Sequence, residues 1–190
     1  MDASFRNADI LGALAVRAIL GSGPPPAPEA VAAANAALAL AAGNGCARQA
    51  KIALLAGAAP DGPIAGNGMT PLCLAASRGD LLMVELLLAA NADPDMASER
   101  LGMTPLLAAI GAKSLECVWA LLRAGACPIQ TRSGGTPPLL AAIDAGDEAM
   151  ALRFLSFGAS PLSADRRGRT AREAAAAAGM AMLAEALEAA

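Results

Sequence analysis

The sequence predicts an all-α solenoid of about four to five stacked helix-turn-helix units, with a helical cap at the N-terminal end. Three observations predict it: an apolar composition made mainly of Ala and Leu, a motif that returns at a nearly constant interval, and helix-start and helix-end signals in the same register. The hydrophobic fraction is 56%, yet aromatic residues make up only 2%. Such a composition favours closely packed helices over the bulky, β-branched interior of a sheet protein.

A short motif recurs along the chain. Gly-Met-Thr-Pro-Leu occurs at positions 68–72 and 102–106, Gly-Thr-Pro-Pro-Leu occurs at 135–139, and a weaker copy begins at Gly168. Two further sets of residues recur in the same register. One set consists of the prolines Pro60, Pro94, Pro128 and Pro161, and the other consists of Gly57, Asn91, Gly125 and Gly158. Self-similarity at a fixed period of this length is the signature of a repeat protein.

Each unit contains signals for two helices. Thr70 can cap free backbone N–H groups, and Pro71 fits the first helical turn, where no N–H is needed. Gly79 suits a tight turn, and the apolar residues that follow it have helical spacing. The second helix ends at Gly or Asn, the two residue types that best adopt the left-handed conformation found there.

The repeat register divides the chain into two parts. Residues 1–35 are predicted to form an N-terminal helical cap that contains a stiff Pro-rich connector. The connector separates predicted helices over 5–20 and 29–42, and the second of these continues into the first unit. The predicted units of the region 36–190 are 36–67 (degenerate), 68–101, 102–134, 135–167 and 168–190 (a C-terminal cap). A transit peptide is the alternative for residues 1–20, although such segments are poor in acids and this one contains Asp9.

These motifs resemble the ankyrin repeat, whose pattern is near G-x-T-P-L-H-x-A-A, then G, then L-L-x-x-G-A-D. The match is good over residues 68–163, loose over 36–61, and limited to the first half of the pattern over 168–190. The resemblance implies antiparallel helix pairs stacked into a slightly curved array, with hairpin-like loops along one edge. Stability would then come from the interfaces between neighbouring units.

The sequence departs from the ankyrin pattern at two kinds of position. Cys73, Leu107 and Leu140 replace the His that joins neighbouring repeats by hydrogen bonds, so we expect apolar packing to carry more of that join. Pro137 replaces the capping Thr of the third clear unit. That helix start is predicted to be weaker, unless Thr136 supplies the cap.

The resemblance also implies a concave partner-binding surface, formed by loop tips and by the exposed side of each first helix. Placed by register, its residues are Asn67, Met69, Ser77, Arg78, Arg100, Leu101, Met103, Ala112, Ser133, Thr136, Asp144, Arg166, Arg167 and Arg169. At its C-terminal end, Arg132 and three of these arginines are predicted to form a basic patch that binds an acidic surface. In the family, the position of Asp165 tends to hold its loop together.

The sequence argues against chemistry at this surface. Histidine, the commonest general base and metal ligand, is absent, and none of the four cysteines forms a CxxC pair. The acidic residues Asp144, Asp147 and Glu148 fall at a helix-turn-helix corner, where charged residues are usually just solvated. We therefore expect no catalytic residue, no cofactor and no metal.

Function is predicted to be binding. The principal hypothesis is a non-catalytic scaffold that binds another protein through the concave face, and the alternative is a regulator that occludes the active site of a partner enzyme. The net charge of −3 does not favour nucleic acid, and the apolar stretch 31–42 is too short to span a bilayer. A monomer in the cytoplasm is expected, with reduced thiols. Trp119 is expected to point outward, as an isolated exposed aromatic residue or, in the alternative, as a second partner contact on the convex side.

Overall fold

The computed structural model describes residues 28–62, 68–98, 102–128 and 136–189 of the 190-residue chain. The predicted helix over residues 5–20 and the connector that follows it lie outside the described residues. Within them, ten helices are arranged as five consecutive antiparallel pairs, so the predicted all-α repeat architecture is confirmed.

Each pair forms one unit, and the units are numbered 1 to 5 along the chain. The ten helices are α1 (Pro28–Asn44), α2 (Ala47–Leu55), α3 (Pro71–Ser77), α4 (Leu81–Ala89), α5 (Pro105–Gly111), α6 (Leu115–Arg123), α7 (Pro138–Asp144), α8 (Glu148–Ser156), α9 (Ala171–Ala177) and α10 (Ala181–Ala189). In units 2 to 5 the first helix has seven residues and the second has nine. The predicted helix over 29–42 thus agrees closely with α1.

Threonine caps begin three of the short first helices. The hydroxyls of Thr70, Thr104 and Thr170 each accept a hydrogen bond from the backbone N–H three residues later, at 3.1–3.3 Å. Helix α7 instead begins after Pro137, which is its cap residue and provides no side-chain hydrogen bond. Thr136 therefore does not take over the cap, and the weaker start of α7 stays a prediction.

The core repeats with the units. In the first helices, equivalent buried leucines line up as Leu38, Leu72, Leu106 and Leu139. In the second helices, the equivalent buried side chains are Met83, Cys117, Met150 and Leu183. Small residues such as Ala75 and Ala109, both fully buried, allow the helices to approach closely.

Backbone-to-side-chain hydrogen bonds join the units in addition to this packing. The Asp61 carboxylate accepts from the Asp93 N–H, and the Asp95 carboxylate accepts from the Cys127 N–H, both at 2.9 Å. The buried Cys73 thiol donates to the Met103 carbonyl of the next unit at 3.3 Å. Burial raises the pKa of this thiol, which keeps it protonated as a donor. Apolar packing was expected to carry more of the join between units, and the Cys73 thiol, at the position of the family histidine, adds a hydrogen bond to it.

Unit 5 covers one end of the stack. Its exposed surface carries an ion pair between Arg172 and Glu188 at 2.6 Å, which joins α9 to α10. Among the residues that the structure describes, no helix has both the length and the apolar character needed to cross a bilayer.

Candidate functional site

The candidate site lies where the first helices end and the inter-unit loops begin. Of its predicted residues, Asn67, Arg100, Leu101 and Ser133 lie outside the described residues, as does Arg132. Ser77, Arg78, Thr136, Asp144, Arg166 and Arg167 are exposed, whereas Met103, Ala112 and Arg169 are half-buried. Most of the described candidates are thus accessible to a partner.

Met69 is an exception. Only 9% of its surface is exposed, although it follows Gly68 in a loop that was expected to be accessible. The next residue, Thr70, is also buried and caps α3. Met69 therefore contributes to packing and offers a partner little surface. This burial argues against Met69 as a contact residue.

Residues 163–171 form a tight hairpin at the C-terminal end of the site. Ala164 and Thr170 are paired by an isolated antiparallel β-bridge, and the Asp165 N–H donates to the Arg169 carbonyl. The turn closes where the N–H of Gly168, at φ +77°, donates to the Asp165 carbonyl. These bonds fix the turn whose exposed tip carries two arginines, at positions 166 and 167.

Asp165 holds this hairpin together, as the family resemblance implied. Its carboxylate accepts from the backbone N–H groups of Arg167 and Arg169 at 2.8 and 3.1 Å, and from the Arg169 guanidinium at 3.2 Å. Partial removal from water opposes ionisation of Asp165, but these hydrogen bonds outweigh that effect and lower its pKa. The carboxylate is therefore an internal part of the loop.

The Arg169 guanidinium forms ion pairs with two carboxylates of the protein itself. It donates to Asp144 of unit 4 at 2.8 Å as well as to Asp165, and its pKa is raised, first by the hydrogen bond to Asp144. Its charge is thus balanced by two carboxylates. The predicted basic patch is narrower than expected, because Arg169 serves the fold and the described part of the patch is reduced to Arg166 and Arg167 at the exposed tip.

The acidic residues at the corner between α7 and α8 have three separate structural roles. Asp144 pairs with Arg169, Asp147 caps α8 through the Met150 N–H, and Glu148 accepts from the Leu183 N–H of unit 5. Within the described residues, no group of three His, Cys, Asp or Glu side chains is placed to hold a metal ion. This corner therefore stabilises the join between units 4 and 5.

Sequence reasoning missed an aromatic cluster on the side formed by the second helices. Trp119 of α6 is half-buried and meets Phe157 edge to face, with ring centroids 5.4 Å apart and an interplanar angle of 79°. The Arg153 guanidinium lies 5.1 Å from the centre of the Trp119 ring. The expectation of an isolated Trp119 is wrong, because its partners are distant in the sequence and belong to the next unit.

Comparison with known proteins agrees with the geometry. A family model described as "Ankyrin repeats (3 copies)" matches residues 38–132, which is half of the chain. A search of the curated proteins found no match for the chain. The matched range spans most of units 1 to 3 and ends before the hairpin of residues 163–171.

Proposed function

This chain belongs to the ankyrin-repeat family, and on that premise we propose that it is a non-catalytic scaffold that binds another protein through its loop tips and first helices. Ankyrin repeats generally mediate protein–protein interaction. The observation that carries the proposal is the hairpin of residues 163–171, in which an internal hydrogen-bond network fixes the backbone and leaves two arginines exposed. A rigid loop loses little conformational entropy when a partner binds.

We further propose that the partner presents an acidic surface to this hairpin. The hairpin carries Arg166, Arg167 and Arg169, and the two carboxylates that pair with Arg169 are Asp144 and Asp165, which leaves one net positive charge in this group. Arg166 and Arg167 are exposed at the tip, so the hairpin presents two guanidinium groups to a partner. Charges of this kind steer encounter with an oppositely charged partner.

A cytoplasmic location is part of this proposal. All four cysteines carry free thiols, and two of them, Cys73 and Cys117, are buried. Free thiols are typical of proteins in reducing compartments.

The test is a comparison of partner capture and binding kinetics for two double charge reversals. Arg166→Glu with Arg167→Glu should slow association by about tenfold or more at low salt and reduce the salt dependence of binding. Arg169 is left unchanged because its ion pairs belong to the fold. The matched control is Arg48→Glu with Lys51→Glu, the same charge change on exposed residues of α2. Equal effects of both variants would contradict a binding site at the hairpin.

A further inference from the structure

A pocket of about 190 Å³ opens between the loops of units 3 and 4, beside the hairpin of residues 163–171. Its lining includes Leu139 and Ala159, which are 1% and 5% exposed, together with Pro137, Pro128 and Ala164. The deeper part of the pocket is therefore made of core side chains, and its remaining walls are mostly apolar.

The two serines that line the pocket do not make it polar. The Ser160 hydroxyl oxygen accepts from the Leu162 N–H at 3.3 Å, and the Ser163 hydroxyl donates to the Ser160 carbonyl at 2.8 Å. Both hydroxyls are thus engaged in holding their own loop. A ligand that enters the pocket meets an apolar surface and few polar groups that require a partner.

The size of the pocket restricts its occupant. Sites for cofactors and drug-sized molecules usually enclose about 300–1,000 Å³. A pocket of about 190 Å³ is smaller than these, and it suits a single aliphatic side chain. The occupant is therefore best described as one anchor residue of a larger partner.

Leu162 lies in the chain between Ser160 and Ser163, two residues that line the pocket. It lies at the repeat position of Asp61 and Asp95, whose carboxylates accept hydrogen bonds from the next unit. In unit 4 this position holds a leucine that is 84% exposed, more than any other large apolar side chain of the described residues. The repeat position that joins neighbouring units through an aspartate in units 1 and 2 therefore holds an exposed apolar side chain in unit 4.

The positive charge next to the pocket indicates which kind of partner segment carries the aliphatic side chain. Ala164 lines the pocket, and Arg166 and Arg167 follow it closely at the hairpin tip. We propose that the pocket binds one aliphatic side chain of an acidic partner segment, with Leu162 packing beside it and the two arginines facing its carboxylates. This inference rests on the proposed function and adds the chemical identity of the bound segment.

The experiment uses the full chain with labelled methyl groups and three short peptides, monitored by NMR titration. The peptides are acetyl-Glu-Glu-Leu-Glu-amide, the same peptide with Ala in place of Leu, and acetyl-Lys-Lys-Leu-Lys-amide. The acidic Leu peptide should shift the methyl signals of Leu139 and Ala159. It should bind about tenfold or more tightly than the Ala peptide, because burying the side chain of a leucine contributes that much to affinity.

Two variants separate the pocket from the charge. Ala164→Leu places an aliphatic side chain at the pocket mouth and should remove the preference for Leu over Ala, with an unchanged far-UV circular dichroism spectrum. Arg166→Glu with Arg167→Glu should remove the preference for the acidic over the basic peptide and leave the shift of Leu139 in place.

Three results decide between the two proposals. If the Leu139 and Ala159 signals do not move, or if the Leu and Ala peptides bind with equal affinity, the proposed binding of an aliphatic side chain in the pocket is overturned. Should the pocket signals move equally with the acidic and basic Leu peptides, the acidic partner segment is overturned, and with it the acidic surface in the proposed function. Persistence of the Leu preference in Ala164→Leu, in a folded protein, would place the anchor elsewhere.

Discussion

Lys113 adopts the left-handed backbone conformation, with φ +56°, at the turn between α5 and α6. The four equivalent positions of the other units are glycines, at φ +68° to +76°. A side chain in this conformation costs about 1–2 kcal/mol because its Cβ crowds the backbone. This turn is therefore a local weak point that repeat units 1, 2, 4 and 5 avoid.

Replacing Lys113 with Gly should raise the free energy of unfolding by about 1 kcal/mol, since the crowding is removed at some cost in chain entropy. Urea denaturation followed by circular dichroism measures the change. The reverse substitution, Gly146→Lys, is the matched control, because a Cβ at Gly146 meets no atom within 4 Å and only the backbone penalty remains. Gly146→Lys should lower the free energy of unfolding by a similar amount. A stabilised Gly146→Lys protein would contradict the explanation.

Trp119 reports on the packing between units 3 and 4. Because its ring is half-buried against Phe157 and Arg153, its fluorescence should lie between that of a buried and that of a fully exposed tryptophan. Phe157→Ala should shift the emission to longer wavelength by exposing one edge of the ring to water. Leu55→Ala removes an exposed apolar side chain at the end of α2 in unit 1, and as the control it should leave the emission unchanged.

At the scale of elements, the caps make helix stability uneven along the stack. Thr104→Ala should cost about 1 kcal/mol, because its hydroxyl accepts the Leu107 N–H and an alanine would leave that buried helix start without its acceptor. Thr136→Ala should have almost no effect, since Pro137 is the cap residue of α7. The measurement is the urea midpoint of each variant. An equal loss for both would show that Thr136 does cap α7.

Helix α9 adds a pH-dependent element. Thr170 and Glu173 form a reciprocal capping box, and the hydrogen bond that Glu173 accepts from the Thr170 N–H, aided by the Thr170 hydroxyl, lowers the pKa of Glu173. A lowered pKa in the folded state means that its stabilisation is fully present above the ordinary value of 4.5 and is lost as the pH falls through the folded-state value.

Glu173→Gln should therefore lower the melting temperature at pH 7 and have progressively less effect as the pH is reduced from 5 to 3. Thermal melts at half-unit pH steps measure this difference. Glu185→Gln, on the exposed surface of α10, is the matched control and should show no such convergence. A Glu173→Gln deficit that persists unchanged at pH 3 would rule out the carboxylate as the source of the stabilisation.

For the molecule as a whole, the features that the sequence predicted correctly are those that depend on neighbouring residues in the chain. Helix starts at Thr-Pro and helix ends at Gly or Asn depend on a few adjacent residues, so their positions follow directly from the repeat. The Asp144–Arg169 pair and the burial of Met69 depend on side-chain direction and on contacts between units, which repeat spacing does not specify. The pocket beside Ala164 arises from the meeting of two loops, and no single segment encodes it.

The repeat architecture predicts where the chain tolerates truncation. The principal helix contacts join neighbouring units, so a chain that begins at Gly68 loses one interface and keeps four complete units. Its circular dichroism should remain helical, with a lower melting temperature because the core faces of α3 and α4 lose their cover. A chain that begins at Asp80 is only slightly shorter, yet it removes α3, the helix that α4 contacts within its own unit, while Met83, Val84 and Leu87 of α4 are core residues. Because a single helix cannot bury its own apolar face, this second truncation should lower the melting temperature by more than the first, and it should bind a dye specific for exposed apolar surface. Equal melting temperatures for the two fragments would mean that the helix pair is not the unit of stability.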